Sequence, residues 1–439
     1  MKLLNSCSVS VIALLLYHGT VFGQAQPEDD NHLSAELRIQ SKVVDKPGNS
    51  PDSEIKNEAQ TEYNAAVNGA RIAEFYRFNL DYELRETRYN EGSQDNDGYW
   101  DGDASGTLSN SNGLYLINAT HSRRRLITNP GGLTSIISNS ESRDILTIQP
   151  IARKKVGAAN TFSLAFNFAD IRLERSNSND SQRKGADFAY LRHVSPTRQL
   201  TFKISERVID YNTSDFGDYE TTSYTLRLSS LRRLFQYHIE YGVSQVSPTL
   251  DEQYSQSTLD FNLTANIGTG QLVFNATKEV SDSSQGNSNS SFFSSDVTFD
   301  NATTERTQID RRTAGLNLRH KLGCLRCSFD FSFGIDELKG ISNALSDSRQ
   351  TVSSLNFNYQ LSHRLSWLID SRTTRNRFDS GLVSARPDSK SKITRTELTF
   401  HANNGFEFAA TYELENASQT GQDENSTNTI GVSVAYTYN

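Results

Sequence analysis

Apolar and polar side chains alternate residue by residue along most of this chain, which places successive side chains on opposite faces of a β-strand. Phe329, Phe331, Phe333 and Ile335 fall on one side of such a segment, with Ser328, Asp330, Ser332, Gly334 and Asp336 on the other. Leu259, Phe261, Leu263, Ala265 and Ile267 oppose Asp260, Asn262, Thr264 and Asn266 in the same way. Phe406, Phe408, Ala410, Tyr412 and Leu414 oppose Glu407, Ala409, Thr411 and Glu413. Near the start of the series, Tyr76, Phe78, Leu80, Tyr82 and Leu84 face away from Asn79, Asp81, Glu83 and Arg85. The theme recurs from about Ala70 almost to the last residue.

The connections between these segments separate a membrane barrel from a soluble sandwich. Ser195-Pro196-Thr197, Leu231-Arg232-Arg233, Gly268-Thr269-Gly270, Gly323-Cys324, Ser362-His363 and Asn403-Asn404-Gly405 are short. Between them fall long ones near 176–186, 211–219, 246–256, 281–307, 338–349, 379–391 and 416–428. A sandwich has no reason to sort its loops by length, whereas an outer-membrane barrel has short periplasmic turns and long outer loops. The pattern predicts an all-β fold, a single transmembrane antiparallel β-barrel over residues 70–439. Seventeen strand candidates can be delimited, and Leu133 to Ser138 after the Asn129-Pro130-Gly131-Gly132 turn would add another. Single-chain bacterial barrels have an even number of strands, so about 18 are expected, with 16 as the alternative.

Residues 1–23 read as a signal peptide. Lys2 precedes a short apolar core from Val9 to Tyr17, and Val21-Phe22-Gly23 offers small residues for cleavage before Gln24. Cys7 lies before the apolar core, where a lipidated cysteine does not sit. Residues 24–69, with Pro27-Glu28-Asp29-Asp30 and Lys46-Pro47-Gly48-Asn49-Ser50-Pro51, are expected to be a largely unstructured periplasmic leader. Within it, His32 to Val44 would form a strand or a short helix.

Composition agrees with a barrel. Hydrophobic residues are only 35%, as when alternate positions alone meet lipid, and 23 Phe and 18 Tyr stand against one Met and 8 Pro. The formal charge of -8 argues against nucleic acid as a partner. Outer-membrane lipid and the barrel-insertion machinery are the expected partners, the latter because the last strand ends on an aromatic. Ile430, Val432, Val434, Tyr436 and Tyr438 alternate there with small residues, and only Asn439 follows. This resembles the assembly signal of outer-membrane barrels.

Candidate chemistry is sparse. Charged residues predicted on the lumen side are Asp81, Glu83, Arg85, Arg227, His238, Glu240, Asp260, Arg319, Asp330, Asp336, Asp370, Glu397, Glu407 and Glu413. They would either neutralise one another across strands or give a weakly cation-preferring pore. Cys324 and Cys327, exported to an oxidising space, are a disulfide candidate in a short turn. Asp95, Asp97, Asp101 and Asp103, interleaved with Gly98 and Gly102, form an acidic loop suited to a bound Ca2+ or to solubility alone. No other cofactor is expected. No His-x-x-x-His pair, nucleophile elbow, phosphate loop or dinucleotide fingerprint is present. An enzyme would need a Ser, a His and an acid from distant strands to converge at one rim.

The turns His193-Val194-Ser195-Pro196-Thr197-Arg198 and Leu361-Ser362-His363-Arg364 each precede an outgoing strand. They resemble the Leu-Ser-Pro-Arg turns of outer-membrane barrels associated with exopolysaccharide and PEP-CTERM gene clusters. That resemblance implies a role in export or surface organisation of polysaccharide and carries over no catalytic residue. Three functions follow as expectations: a porin-like channel for small polar solutes or polysaccharide, a structural barrel acting through its outer loops, and an outer-membrane hydrolase. The loop 281–307, with Phe292, Phe293 and Phe299, would serve the second.

Overall fold

The computed structural model describes residues 31–45, 57–92, 95–127, 140–174, 180–212, 218–249, 252–282, 298–299, 308–321, 324, 326–340, 347–378, 387–421 and 425–438. Its first strands are β1 (His32–Asp45), β2 (Asn57–Ile72), β3 (Tyr76–Tyr89), β4 (Asp97–Ser109), β5 (Tyr115–Ile127), β6 (Ser140–Val156) and β7 (Asn160–Leu173). Then come β8 (Ser181–Ser195), β9 (Arg198–Tyr211), β10 (Tyr219–Leu231), β11 (Phe235–Pro248), β12 (Tyr254–Ile267), β13 (Gly270–Asp282) and the two-residue β14 (Thr298–Phe299). The chain finishes with β15 (Gln308–His320), β16 (Cys327–Gly340), β17 (Ser348–Gln360), β18 (Leu365–Phe378), β19 (Ser389–His401), β20 (Phe406–Gln419) and β21 (Asn425–Tyr438).

All but β14 pair antiparallel with their neighbours, and β1 pairs with both β2 and β21, so twenty strands close the wall. Closure gives every strand of the wall a neighbour on both sides, which removes the free edge strands that template other chains. Chain sense alternates around the wall, which puts all nine shorter connections at one rim. Each connection at the opposite rim is longer than its neighbours at the first. The two are called here the short-turn and the long-loop rim.

Twenty strands replace the expected 18 or 16. The three additional ones are β1, β2 and β4. Residues 24–69 therefore do not form a leader over 32–45 and 57–69, which are wall strands. The cause is visible in β1, where Leu33, Leu37, Ile39 and Val43 face out and Glu36, Arg38, Gln40 and Lys42 face in. β5 pairs directly with β6 from Tyr115↔Ala152 to Ile127↔Ser140, so no further strand separates these two. The expected extra strand at Leu133 to Ser138, the expected signal at 1–23, and Phe292 and Phe293 lie outside the described residues. Phe299 belongs to β14, which pairs in parallel with Leu126 and Ile127 of β5. The connection after β13 thus reaches a strand eight places away in the wall.

The distribution of side chains is inverted relative to a water-soluble fold. Leu226, Ile239, Tyr241, Phe408, Ile430 and Val432 are exposed on the outside of the wall. Buried positions are mostly polar, including Glu62, Arg311, Asp336 and Asn376. Aromatic rings cluster on the outside toward the short-turn rim, with Phe406–Tyr436 centroids 4.9 Å apart and Phe162–Tyr190 5.1 Å apart. Apolar residues do enter the lumen at the long-loop end of one side. Ile209, Tyr219 and Val246 pack together there, flanked by Tyr211 and Tyr254.

Candidate functional site

Strand alternation carries all fourteen predicted charged residues to the lumen side. Most of them meet a partner there, two residues away or one or two strands along the wall. Arg227 binds Glu240 at 2.5 Å and Asp260 at 3.4 Å, and His238 lies 3.0 Å from Asp260. Arg319 binds Asp330 at 2.7 Å. Asp336 holds Arg311 through two hydrogen bonds, Nε to Oδ1 at 3.1 Å and Nη2 to Oδ2 at 2.9 Å, with both side chains only 3% exposed. Glu397 pairs with Arg395, and Glu407 with His401. Asp81, Asp370 and Glu413 have no salt-bridge partner among the described residues. Most charges are paired across or along strands, and the remainder are acidic.

A recess of about 520 Å³ lies on the side formed by β1–β5 and β19–β21. Six carboxylates and five cationic side chains line it. Glu62 is the hub. It accepts hydrogen bonds from Lys42 at 2.6 Å and from Asn64 at 3.1 Å, forms an ion pair with Arg85 at 3.3 Å, and is 6% exposed. Arg85 also binds Glu83 at 2.9 Å and lies over the Tyr99 ring, which Arg125 covers as well, 4.4 Å from the centroid. Gln40 donates to Thr411 Oγ1 at 3.4 Å, tying β1 to β20 across β21. Thr411, Thr427 and Thr429 complete the lining. Such a wall offers donors and acceptors of both signs to a hydrated solute.

Lys42, Glu62, Glu36 and Arg38 were not among the expected lumen residues, because β1 and β2 read as leader. The alternation from Leu33 to Val43 was the available signal.

The acidic segment from Asp95 to Asp103 is mostly strand and not a loop. From Asp97 onward it is strand β4, paired with β3 from Thr87↔Asp97 to Tyr76↔Leu108. Two of its carboxylates meet guanidinium groups. Asp97 binds Arg125 at 3.1 Å, and Asp103 binds Arg124. Among the described residues no group of three metal-ligating side chains occurs. Backbone pairing between β4 and β5 runs only from Gly102↔Arg123 to Ser109↔Leu116. Beyond it the seam is bridged by these ion pairs and by Arg123 over the Trp100 ring, 4.5 Å from its centroid.

At the short-turn rim, Cys324 and Cys327 are joined by a disulfide, as expected for that turn. Tyr436 and Tyr438 lie on the outside of β21, Tyr438 at 68% exposure. One convergence of Ser, His and acid is present at the short-turn end of the lumen. Ser366 Oγ lies 3.5 Å from His401 Nε2, and His401 Nδ1 lies 2.9 Å from Glu407 Oε1. The residues come from β18, β19 and β20, and no linear motif marks them.

No family model matches the chain, and no curated protein matches its sequence. Solved structures do match in fold. The outer membrane protein opdK from Pseudomonas aeruginosa shares 10% identity over 93% of this chain and 99% of its own, with a TM-score of 0.38. The copper transporter OprC shares 9% over 94% and 84%, with a TM-score of 0.43. The FrpB iron transporter from Neisseria meningitidis (F3-3 variant) shares 10% over 93% and 82%, with a TM-score of 0.43. At these scores the likeness adds nothing to what the strands themselves display.

Proposed function

We propose that this chain is an outer-membrane channel for small polar solutes, exported by its first 23 residues and inserted with the long loops outward. The inverted side-chain distribution carries the reading. Large apolar side chains such as Tyr115, Leu226, Tyr241 and Ile430 stand exposed on strands all around the outside, while the lumen is polar. A continuous apolar surface of that extent is untenable in water and is what a lipid bilayer covers. Twenty strands spaced ~4.8 Å apart and tilted by ~40° enclose a wall ~40 Å across, wide enough to leave water inside unless side chains or loops fill it.

The recess lined by Glu62, Arg85 and Gln40 is the favoured route for solute. Its carboxylates outnumber its cations by one, which supports a mild preference for cations. The link to polysaccharide rests on two turn motifs alone. Reconstitution of the full chain into planar bilayers tests the reading. Discrete conductance steps are expected, with a reversal potential in a salt gradient shifted toward cations. A barrel that inserts but passes no current at either polarity overturns it.

A second reading, an ester hydrolase, is favoured by the Ser366–His401–Glu407 convergence, whose connectivity is that of a nucleophile, its base and an orienting acid. The ladder argues against it. Ser366 is paired to Gln360 on one side and to Thr399 on the other, so its backbone is committed to both neighbours. A nucleophile so placed lacks the free N–H groups that stabilise an oxyanion. Labelling of Ser366 by a fluorophosphonate, abolished in Ser366→Ala, would establish the hydrolase; absence of labelling is the expected result.

A further inference from the structure

Toward the long-loop rim an outward cation is as a rule answered by a carboxylate; outside β18 and β19 the exceptions among the described residues are Lys278, which donates to Ser257 Oγ, and Lys339. Arg88 binds Glu86 at 2.9 Å, Arg123 binds Asp144 at 2.7 Å, and Arg172 binds Asp170 at 2.7 Å. Lys184 meets Asp210 at 3.3 Å and Arg312 meets Asp310 at 2.8 Å.

The rule fails on β18 and β19. Arg375, Arg377, Lys390 and Lys392 are exposed on the outer face, and none has a salt-bridge partner among the described residues. They also repel one another. Arg375 stands directly opposite Lys390, and Arg377 directly opposite Arg349 of β17. Like charges facing each other across a ladder destabilise it. Arg349 has one acid, Glu337, at 3.5 Å, and the other four have none. A surface that pairs most of its outward cations elsewhere and sets four unpaired ones side by side here is shaped for an external anion.

Height identifies the anion. Below the cluster the outer face of β18 carries Thr373 and Ser371, then Ile369, Trp367 and Leu365. On β19 it carries Thr394 and Thr396, then Leu398 and Phe400. At ~3.3 Å per residue and ~40° of tilt, the climb from Leu365 to Arg375 is ~25 Å, the height of the apolar band of such barrels. The cations thus begin where hydrocarbon ends and head groups start. Guanidinium and ammonium groups both bind phosphate, the former as a fork and the latter as a point charge.

We infer that the outer face of β17–β19 is a binding site for phosphate-bearing lipid head groups in the leaflet on the long-loop side. The inference rests on the membrane reading above and adds to it a preferred, laterally localised lipid. Bound phosphates would bridge the opposed cations and turn a repulsive patch into a cohesive one.

The test uses the full chain, wild type and the variant Arg375→Gln/Arg377→Gln/Lys390→Gln/Lys392→Gln, with native mass spectrometry and lipid titration as readouts. The probes are bis-phosphorylated lipid A, its phosphate-free counterpart and inorganic phosphate. Wild type is expected to bind the phosphorylated lipid ~10-fold or more tightly than the phosphate-free one. The quadruple variant is expected to lose that preference. Arg172→Gln, which touches a paired cation, is expected to keep it, as is Lys390→Arg/Lys392→Arg. Retention of the preference by the quadruple variant overturns the inference, and so does its absence from wild type. Equal competition by inorganic phosphate would mark a free-anion site and overturn the lipid assignment. Vesicle flotation keeps the two readings apart. A chain that floats but shows no phosphate preference refutes this site alone, whereas a chain that stays in the aqueous fraction refutes the membrane barrel. Unchanged heat-dependent gel mobility certifies that the variants are folded.

Discussion

Two sides of the same lumen, both toward the long-loop rim, are built from opposite materials. On one, Glu62 gathers Lys42, Arg85 and Asn64 beside a recess of about 520 Å³. On the other, Ile209, Tyr219 and Val246 are packed to between 0% and 4% exposure. The strands are of similar length and alternate in the same way. Apolar side chains close space by touching, in any orientation that fills it. Ion pairs keep their residual lone pairs and protons wet or bonded, and so hold space open. The width of the wall sets what is possible. The inward side chains decide where water remains.

The largest expected effect is at the hub. Glu62→Ala leaves Lys42 and Arg85 without the carboxylate they share, a loss on the order of 3–5 kcal/mol for a buried pair, read as a lower denaturant midpoint of the folded barrel. Glu62→Gln, which keeps one acceptor oxygen but loses the charge and the second acceptor, should fall between that variant and wild type. Next is Ile209→Ala, expected to cost about 2–5 kcal/mol in the same unfolding assay while single-channel conductance stays at the wild-type level. A fall in conductance equal to that of a recess variant would erase the distinction between the two sides. Gln40→Trp places a ring in the recess and should lower conductance with little change in stability, the reverse of Ile209→Ala. The smallest effect belongs to Glu413→Gln, which removes a carboxylate without a salt-bridge partner among the described residues. It should move the reversal potential slightly toward anions and leave conductance alone.

Much of the wall was legible because its strands obey alternation with strong apolar markers. Phe329, Phe331 and Phe333 announce β16, and Phe406 and Phe408 announce β20. β1 was obscured by its flanks, since the acidic and Pro-rich stretches around it suggested that the whole region lacks structure. β4 was obscured by its own composition. Asp and Gly normally weaken a strand, yet here the aspartates are held by Arg124 and Arg125. Gly102 has a φ of 153° at a point where a Cβ would lie 2.3 Å from the Asp81 carbonyl oxygen. Tertiary partners, absent from any local pattern, made both features compatible with a ladder. The fourteen lumen charges were found by parity alone. Their pairing was not, because it depends on register between strands. Ser366, His401 and Glu407 are an instance: only the pairings Ser366↔Thr399 and His401↔Glu407 bring them together.

The pairing of β1 with β21 sets a schedule as well as a shape. Ala35 stands opposite Tyr438, so the seam joins residues about 400 positions apart. Every other neighbouring pair in the wall is a hairpin that can form as its own segment becomes available, at a small loop-closure cost. The seam alone waits for the whole sheet to curl, and it is the contact of highest sequence separation on which the rate should depend most. Until then the two strands present raw edges, β1 with its Leu37 and Ile39 and β21 with its Val432 and Val434. Assembly of this molecule is therefore a race between sealing one late joint and losing it to a foreign strand.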